Sequence, residues 1–141
     1  MGYRSTVAYT IRFIVDGNED DEAKTRGAFY TFLAEAKVND DTARAIADSE
    51  YLTIDEKELT FNFFADDVKW YESYDDVKCH EALMNLSKEW ADDSEDTYCP
   101  YIAGAFARIG EEMEDVVEEV WGEEGSYDWI SVHRSMSCDW M

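Results

Sequence analysis

The stretch STVAYTIRFIV, from Ser5 to Val15, decides the fold. Val7, Tyr9, Ile11, Phe13 and Val15 share one face, while Thr6, Ala8, Thr10 and Arg12 share the other. That two-residue period belongs to a strand with an apolar side to bury. Asp16-Gly17-Asn18 follows as a turn. The period then changes. Ala28, Phe29, Phe32, Leu33 and Ala36 recur at helical spacing and predict a helix over Glu19 to Lys37. Its first turn is acidic, as the helix dipole favours. Asp40 or Asp41 is expected to cap a shorter helix running through Ala47.

Further along, Tyr51 to Ile54 and Leu59 to Phe64 flank the polar turn Asp55-Glu56-Lys57-Glu58, which predicts a hairpin. A loop with Val68, Trp70 and Tyr71 leads to a second long helix over Asp75 to Ala91, where Val77, His80, Leu83, Leu86 and Trp90 recur every three or four residues. Asp92 to Asp96 is an acidic loop. In Tyr101 to Ile109 the alanines admit a helix, but Pro100 at its start and the short length favour a strand. Glu111 to Trp121 is expected to be an amphipathic helix with Met113, Val116, Val117 and Val120 inward. Tyr127 to Met136 alternates and is expected to close the domain as a strand. Helices packed on a mostly antiparallel sheet make an α+β domain. The expectation is one domain over residues 1–141, with about five strands and two to four helices.

Charge bounds the function. The chain has 34 Asp and Glu against 12 Lys and Arg, a formal charge of −22. Acidic disordered chains are poor in aromatics. Here 15% of residues are aromatic, so the charge is expected on a folded body. From Glu111 to Glu124 the chain carries eight carboxylates and no cation: Glu111, Glu112, Glu114, Asp115, Glu118, Glu119, Glu123 and Glu124. Such a surface repels nucleic acid and anionic membranes, and attracts proteins with basic grooves.

Other chemistries have weaker support. Cys79, Cys99 and Cys138 are odd in number and widely spaced, and the N-terminus has no basic start followed by an apolar segment. Free thiols in a reducing cytoplasm are therefore expected. No apolar run approaches the ~18 residues that would span a bilayer. Gly2 and Thr6 fit a myristoylation signal, but a strand begins at once after them. Asp16, Asn18 and Asp20 copy the first positions of a calcium loop. The pattern fails at Asp21, where glycine is needed, and at Gly27, where a bidentate Glu is needed. Cys79, His80, Cys99, His133 and Cys138 show no paired zinc-ligand spacing. Neither a metal nor a cofactor is expected. A Cys99–His133 dyad requires a meeting in space that spacing cannot show. No phosphate-cradling glycine loop is present. His80, on the apolar face of its helix, is expected as a hydrogen-bonded core histidine.

Four stretches resemble a family of small proteins of unassigned function encoded by bacteriophages and prophages. They are Met1-Gly2-Tyr3-Arg4-Ser5; Val68-Lys69-Trp70-Tyr71 with Tyr74-Asp75-Asp76-Val77; Phe106-Ala107-Arg108-Ile109-Gly110-Glu111; and Ser131-Val132-His133-Arg134-Ser135. The resemblance implies a viral, intracellular setting in a bacterial host, and it brings no catalytic residue.

The expected function is non-catalytic inhibition of a host nucleic-acid-binding defence protein, of the anti-CRISPR or anti-restriction kind, through an acidic DNA-mimicking surface. The carboxylates Glu111, Glu112, Glu114, Asp115, Glu118 and Glu119 and the loop acids Asp92, Asp93, Glu95 and Asp96 are the expected contacts. Trp70, Tyr71 and Trp121 are candidate apolar anchors; the Trp70-Tyr71 pair equally suits a cap on the core. The expected partner is a host protein with a basic groove, with no direct nucleic-acid or membrane contact, and the chain acts as a monomer or homodimer. A viral interaction module without mimicry, or a small nucleotide-acting enzyme, are the other readings.

Overall fold

The computed structural model describes residues 4–14, 19–71, 73–92, 101–112, 115–122, 129–132 and 136–140. In chain order the elements are β1 (Ser5–Ile14), α1 (Glu19–Val38), α2 (Asp40–Ile46), β2 (Leu52–Asp55), β3 (Thr60–Val68), α3 (Asp75–Asp92), β4 (Tyr101–Gly110), β5 (Val116–Trp121), β6 (Ile130–Val132) and β7 (Met136–Cys138). The first five strands other than the closing pair form one antiparallel sheet, ordered β2-β3-β1-β4-β5, and β6 and β7 form a separate antiparallel pair. The class is α+β.

The alternation in β1 places it at the centre. Val7, Tyr9, Ile11 and Phe13 point into a core with Phe29, Phe32, Leu33 and Ala36 of α1 and Leu83 and Met84 of α3. Phe61 and Phe63 enter from β3, and Leu52 from β2. Tyr9 stacks on Phe63 at 4.9 Å between centroids, nearly parallel. On the other face, Ala8, Ala105 and Ala107 meet Ile130 and Cys138 of the closing hairpin. The small residues let that hairpin approach closely, which is why three alanines in β4 do not argue for a helix. Arg12 fastens the hairpin. Its guanidinium lies 4.2 Å from the Trp129 ring and pairs with Asp139 at 2.5 Å.

The structure corrects several sequence expectations. The segment Glu111 to Trp121 is not a helix. Gly110 N–H donates to Asp115 O at 2.7 Å, closing a turn into β5. A helix would have set Glu111 against Asp115, Glu114 against Glu118 and Asp115 against Glu119, each a like-charge i,i+4 pair that destabilises. The strand turns Glu118 and Glu119 to opposite faces, and Val116, Val117, Val120 and Trp121 favour the pleated form. Val116 and Val117, expected inward, are exposed.

The expected closing strand divides into β6 and β7. Asn39, not Asp40 or Asp41, caps α2, its side chain accepting from Asp41 N–H. β3 runs past Phe64 to Val68 through an irregularity. Ser5 pairs with Val68 but Val7 with Ala65, so β3 carries one extra residue there, with Asp67 at φ 54°. This is a β-bulge, and it re-aims the side chains around it. The Asp16-Gly17-Asn18 turn, Asp93 to Pro100 and Glu114 lie outside the described residues, as do Cys99 and His133.

Candidate partner-binding surface

β5 is an edge strand, and the carboxylates expected on one helix face separate there. Asp115 is half-buried and held by both guanidinium nitrogens of Arg108, at 2.9 and 3.1 Å. Glu119 faces α3 and pairs with Lys88 at 2.8 Å. Glu118 pairs across with Ala107, so it lies on the opposite face and is exposed. Glu111 and Glu112 are exposed in the turn, and a carboxylate oxygen of Glu111 accepts Arg4 N–H at 2.8 Å. Asp92 ends α3. Asp93, Glu95, Asp96 and Glu114 fall outside the described residues.

The three candidate anchors also part company. Trp121 is buried, so it is not an exposed anchor. Its indole N–H donates to Ser87 Oγ at 2.9 Å, and its ring lies over Gly104. Trp70 is half-buried against Phe63 and His80, with centroids at 5.7 and 6.4 Å. It therefore roofs the core and still shows a face to solvent. Tyr71 meets Tyr74 edge-on at 5.1 Å.

Trp70 covers a pocket of ≈ 370 Å³, between the bulged end of β3 and the start of α3. Tyr51 and Tyr74 form aromatic walls, Asp48, Asp67 and Asp76 add carboxylates, and Arg4 and Lys69 stand at the rim. Arg4 donates to Asp67 O at 3.1 Å while its own N–H reaches Glu111, so the pocket and the β4–β5 turn lie at one end of the sheet. Asp66 belongs to that end too, accepting from Thr6 Oγ1 at 2.6 Å. The structure thus brings Trp70, Tyr71, Glu111 and Glu112 to one end and leaves Glu118 and Glu119 on the edge strand. Sequence reasoning gave no site role to Asp48, Tyr51, Asp66, Asp67 or Tyr74. The visible signals were Tyr74 in the stretch Tyr74-Asp75-Asp76-Val77 and the Asp66-Asp67 pair beside Val68-Lys69-Trp70-Tyr71.

His80 floors the pocket as a hydrogen-bonded core histidine. A carboxylate only accepts, so Nε2 carries the proton and donates to Asp48 at 2.9 Å, and Nδ1 accepts the Tyr9 hydroxyl at 2.6 Å. Burial lowers the His80 pKa, against the pull of Asp48, and burial raises that of Tyr9 well above its usual value. The chain from Asp48 through His80 ends at the hydroxyl of Tyr9, a fully buried side chain. Among the described residues, no group of three His, Cys, Asp or Glu side chains is arranged to hold a metal ion. Among the same residues, no helix is long and apolar enough to cross a membrane.

No protein-family model, curated protein or solved structure matches the chain.

Proposed function

We propose that this protein is a phage-encoded, non-catalytic inhibitor that occupies the basic nucleic-acid groove of a host defence protein, of the CRISPR-effector or restriction-enzyme kind, in the cytoplasm of the infected cell. One observation carries the reading: a charge of −22 on a body with a dense aromatic core. The chain's own cations can balance only part of the acids, 12 Lys and Arg against 34 Asp and Glu. Arg12, Arg44, Lys88 and Arg108 already pair with Asp139, Asp76, Glu119 and Asp115. The surplus repels its own surface and is relieved by a cationic partner. Double-stranded DNA presents about one charge per ~1.7 Å of axis. Approaching that density takes several elements together, and the Asp66, Asp67, Glu111 and Glu112 end of the sheet offers more than one.

A second reading is an interaction module that binds a host protein without imitating nucleic acid. The divergence of Glu118 and Glu119 favours it, because mimicry by β5 alone would need both on one face. Competition separates the two. The tagged protein is used to capture partners from a bacterial lysate, and the capture is repeated with increasing DNA. Mimicry requires the partner to be released as DNA is added. Simultaneous, unhindered binding of DNA and this protein to the same partner eliminates it. Steep weakening with salt accompanies either charged interface and is supporting only.

A further inference from the structure

We propose that the pocket beneath Trp70 receives a single cationic side chain, an arginine or lysine, presented by the partner protein. The inference rests on the reading that the partner surface is basic, and it names where one of its cations docks. Three observations support it. The walls are aromatic: Tyr51, Trp70 and Tyr74 line the space. Cations are attracted to such ring faces. Carboxylates stand beside the rings, with Asp67 and Asp76 lining the same pocket. The floor does not oppose a cation. Both His80 nitrogens are engaged by Asp48 and Tyr9, and burial keeps the ring neutral near pH 7.

The field narrows the occupant. A pocket of ≈ 370 Å³ has more room than one long side chain fills, so size admits such a guest and charge selects it. A phosphate-bearing ligand is disfavoured by the charge of −22 around it. Arg4 and Lys69 also reach the rim and oppose a guest cation, but unequally. Arg4 is tethered to Asp67 O. Lys69 is exposed and makes no ion pair among the described residues, so it can swing clear or be removed. Asp76 is shared with Arg44 at 3.6 Å across an exposed pair. Such a pair is readily exchanged for a better-oriented cation.

The test uses the whole protein and three blocked tripeptides, acetyl-Gly-X-Gly-amide, with arginine, lysine or citrulline at X. Citrulline keeps the shape of arginine and removes the charge. Binding is followed at low salt by side-chain NMR of Trp70, Tyr51 and Tyr74. Arginine should give saturable shifts at these rings, with citrulline at least about tenfold weaker, a difference of about 1.4 kcal/mol. Tyr74→Ala, at an exposed position that spares the core, should weaken arginine binding severalfold. Lys69→Ala should strengthen it. Equal binding of citrulline, or no saturable shift at Trp70, overturns the proposal. The lysate competition is read separately. Arginine binding without DNA competition overturns the mimicry reading and leaves the pocket standing. DNA competition without arginine binding does the reverse.

Discussion

Replacing Gly104 by alanine should damage the protein far beyond what a single added methyl suggests. A Cβ at Gly104 would lie 2.2 Å from Cε2 and Cζ2 of Trp121 and 2.5 Å from its Nε1. The ring cannot easily move aside. Its N–H is committed to Ser87 Oγ on α3, and its backbone is paired with Gly104 itself. Overpacking of this kind costs about 1–3 kcal/mol. Loss of the indole hydrogen bond adds ~0.5–1.5 kcal/mol. A total near ~3 kcal/mol follows. With ~2.1 cal/mol/K of unfolding entropy per residue over 141 residues, that is a fall in Tm of ~10 °C. Urea unfolding followed by circular dichroism measures it, as a lower midpoint with an unchanged slope. The cause is checked by a double-mutant cycle. In a Trp121→Leu background the space above Gly104 is open, so Gly104→Ala should cost much less there. A Gly104→Ala variant within ~0.5 kcal/mol of the parent, the range of an ordinary surface change, would refute the steric reasoning. So would an equal penalty in both backgrounds.

Three further outcomes are expected. His80 has its pKa lowered from 6.5, chiefly by burial. The unfolded chain therefore takes up a proton that the native state resists, and stability is present above pH 6.5 and falls as pH drops through that value toward the lowered native pKa. The urea midpoint should decline from pH 7.5 to 5.5, and a rising midpoint would contradict a buried neutral imidazole. Cys79 and Cys138 are buried, with burial raising the first thiol and pushing the second to about 11; both should react slowly with a thiol reagent in the native protein, and all three cysteines should react in denaturant. Rapid native labelling of more than one thiol would contradict this placement. Finally, Glu118 and the Lys88-paired Glu119 stand on an edge strand next to the exposed Val116 and Val117. The double variant Glu118→Val, Glu119→Thr should associate with rising concentration in light scattering, and elution unchanged from the parent would show that these charges do not guard the edge.

Elements with a strong period were legible in the sequence. β1, α1 and α3 each bury one side against a single core, and the burial writes itself into the spacing of Tyr9, Phe29, Phe32 and Leu83. β4 was legible despite its alanines because the segment is short and begins after a proline. The region after Gly110 was misread for a physical reason. Val116, Val117 and Val120 satisfy a helical template as well as a strand, and periodicity cannot separate the two over so short a run. Two contacts outside the run itself decide it: the partner strand β4 and the Arg108–Asp115 pair. The pocket was largely invisible for a similar reason. Tyr51 and Trp70 are far apart in sequence, and only the pairing of β2 with β3 and the bulge before Val68 bring them to one space.

The misread segment also changes what an acidic mimic on this scaffold must look like. A helix would have displayed its carboxylates at a regular rise along one line. A strand at the sheet edge sends alternate carboxylates to opposite faces, and two of those in this region are already neutralised, Asp115 by Arg108 and Glu119 by Lys88. Regular display along one element is therefore unavailable to β5. The end of the sheet is different. There the bulge holds Asp66 and Asp67, the β4–β5 turn holds Glu111 and Glu112, and the Arg4 contacts tie the two strand ends together through Asp67 O and Glu111. Asp66 and Glu111 have carboxylates already held, by the Thr6 hydroxyl and by Arg4 N–H, and held charges cost less entropy to present than mobile ones. A basic groove meeting this protein would therefore gain most by engaging that end. Neutralising Glu118 should matter less to the inhibition proposed above than neutralising Glu111 and Glu112 together.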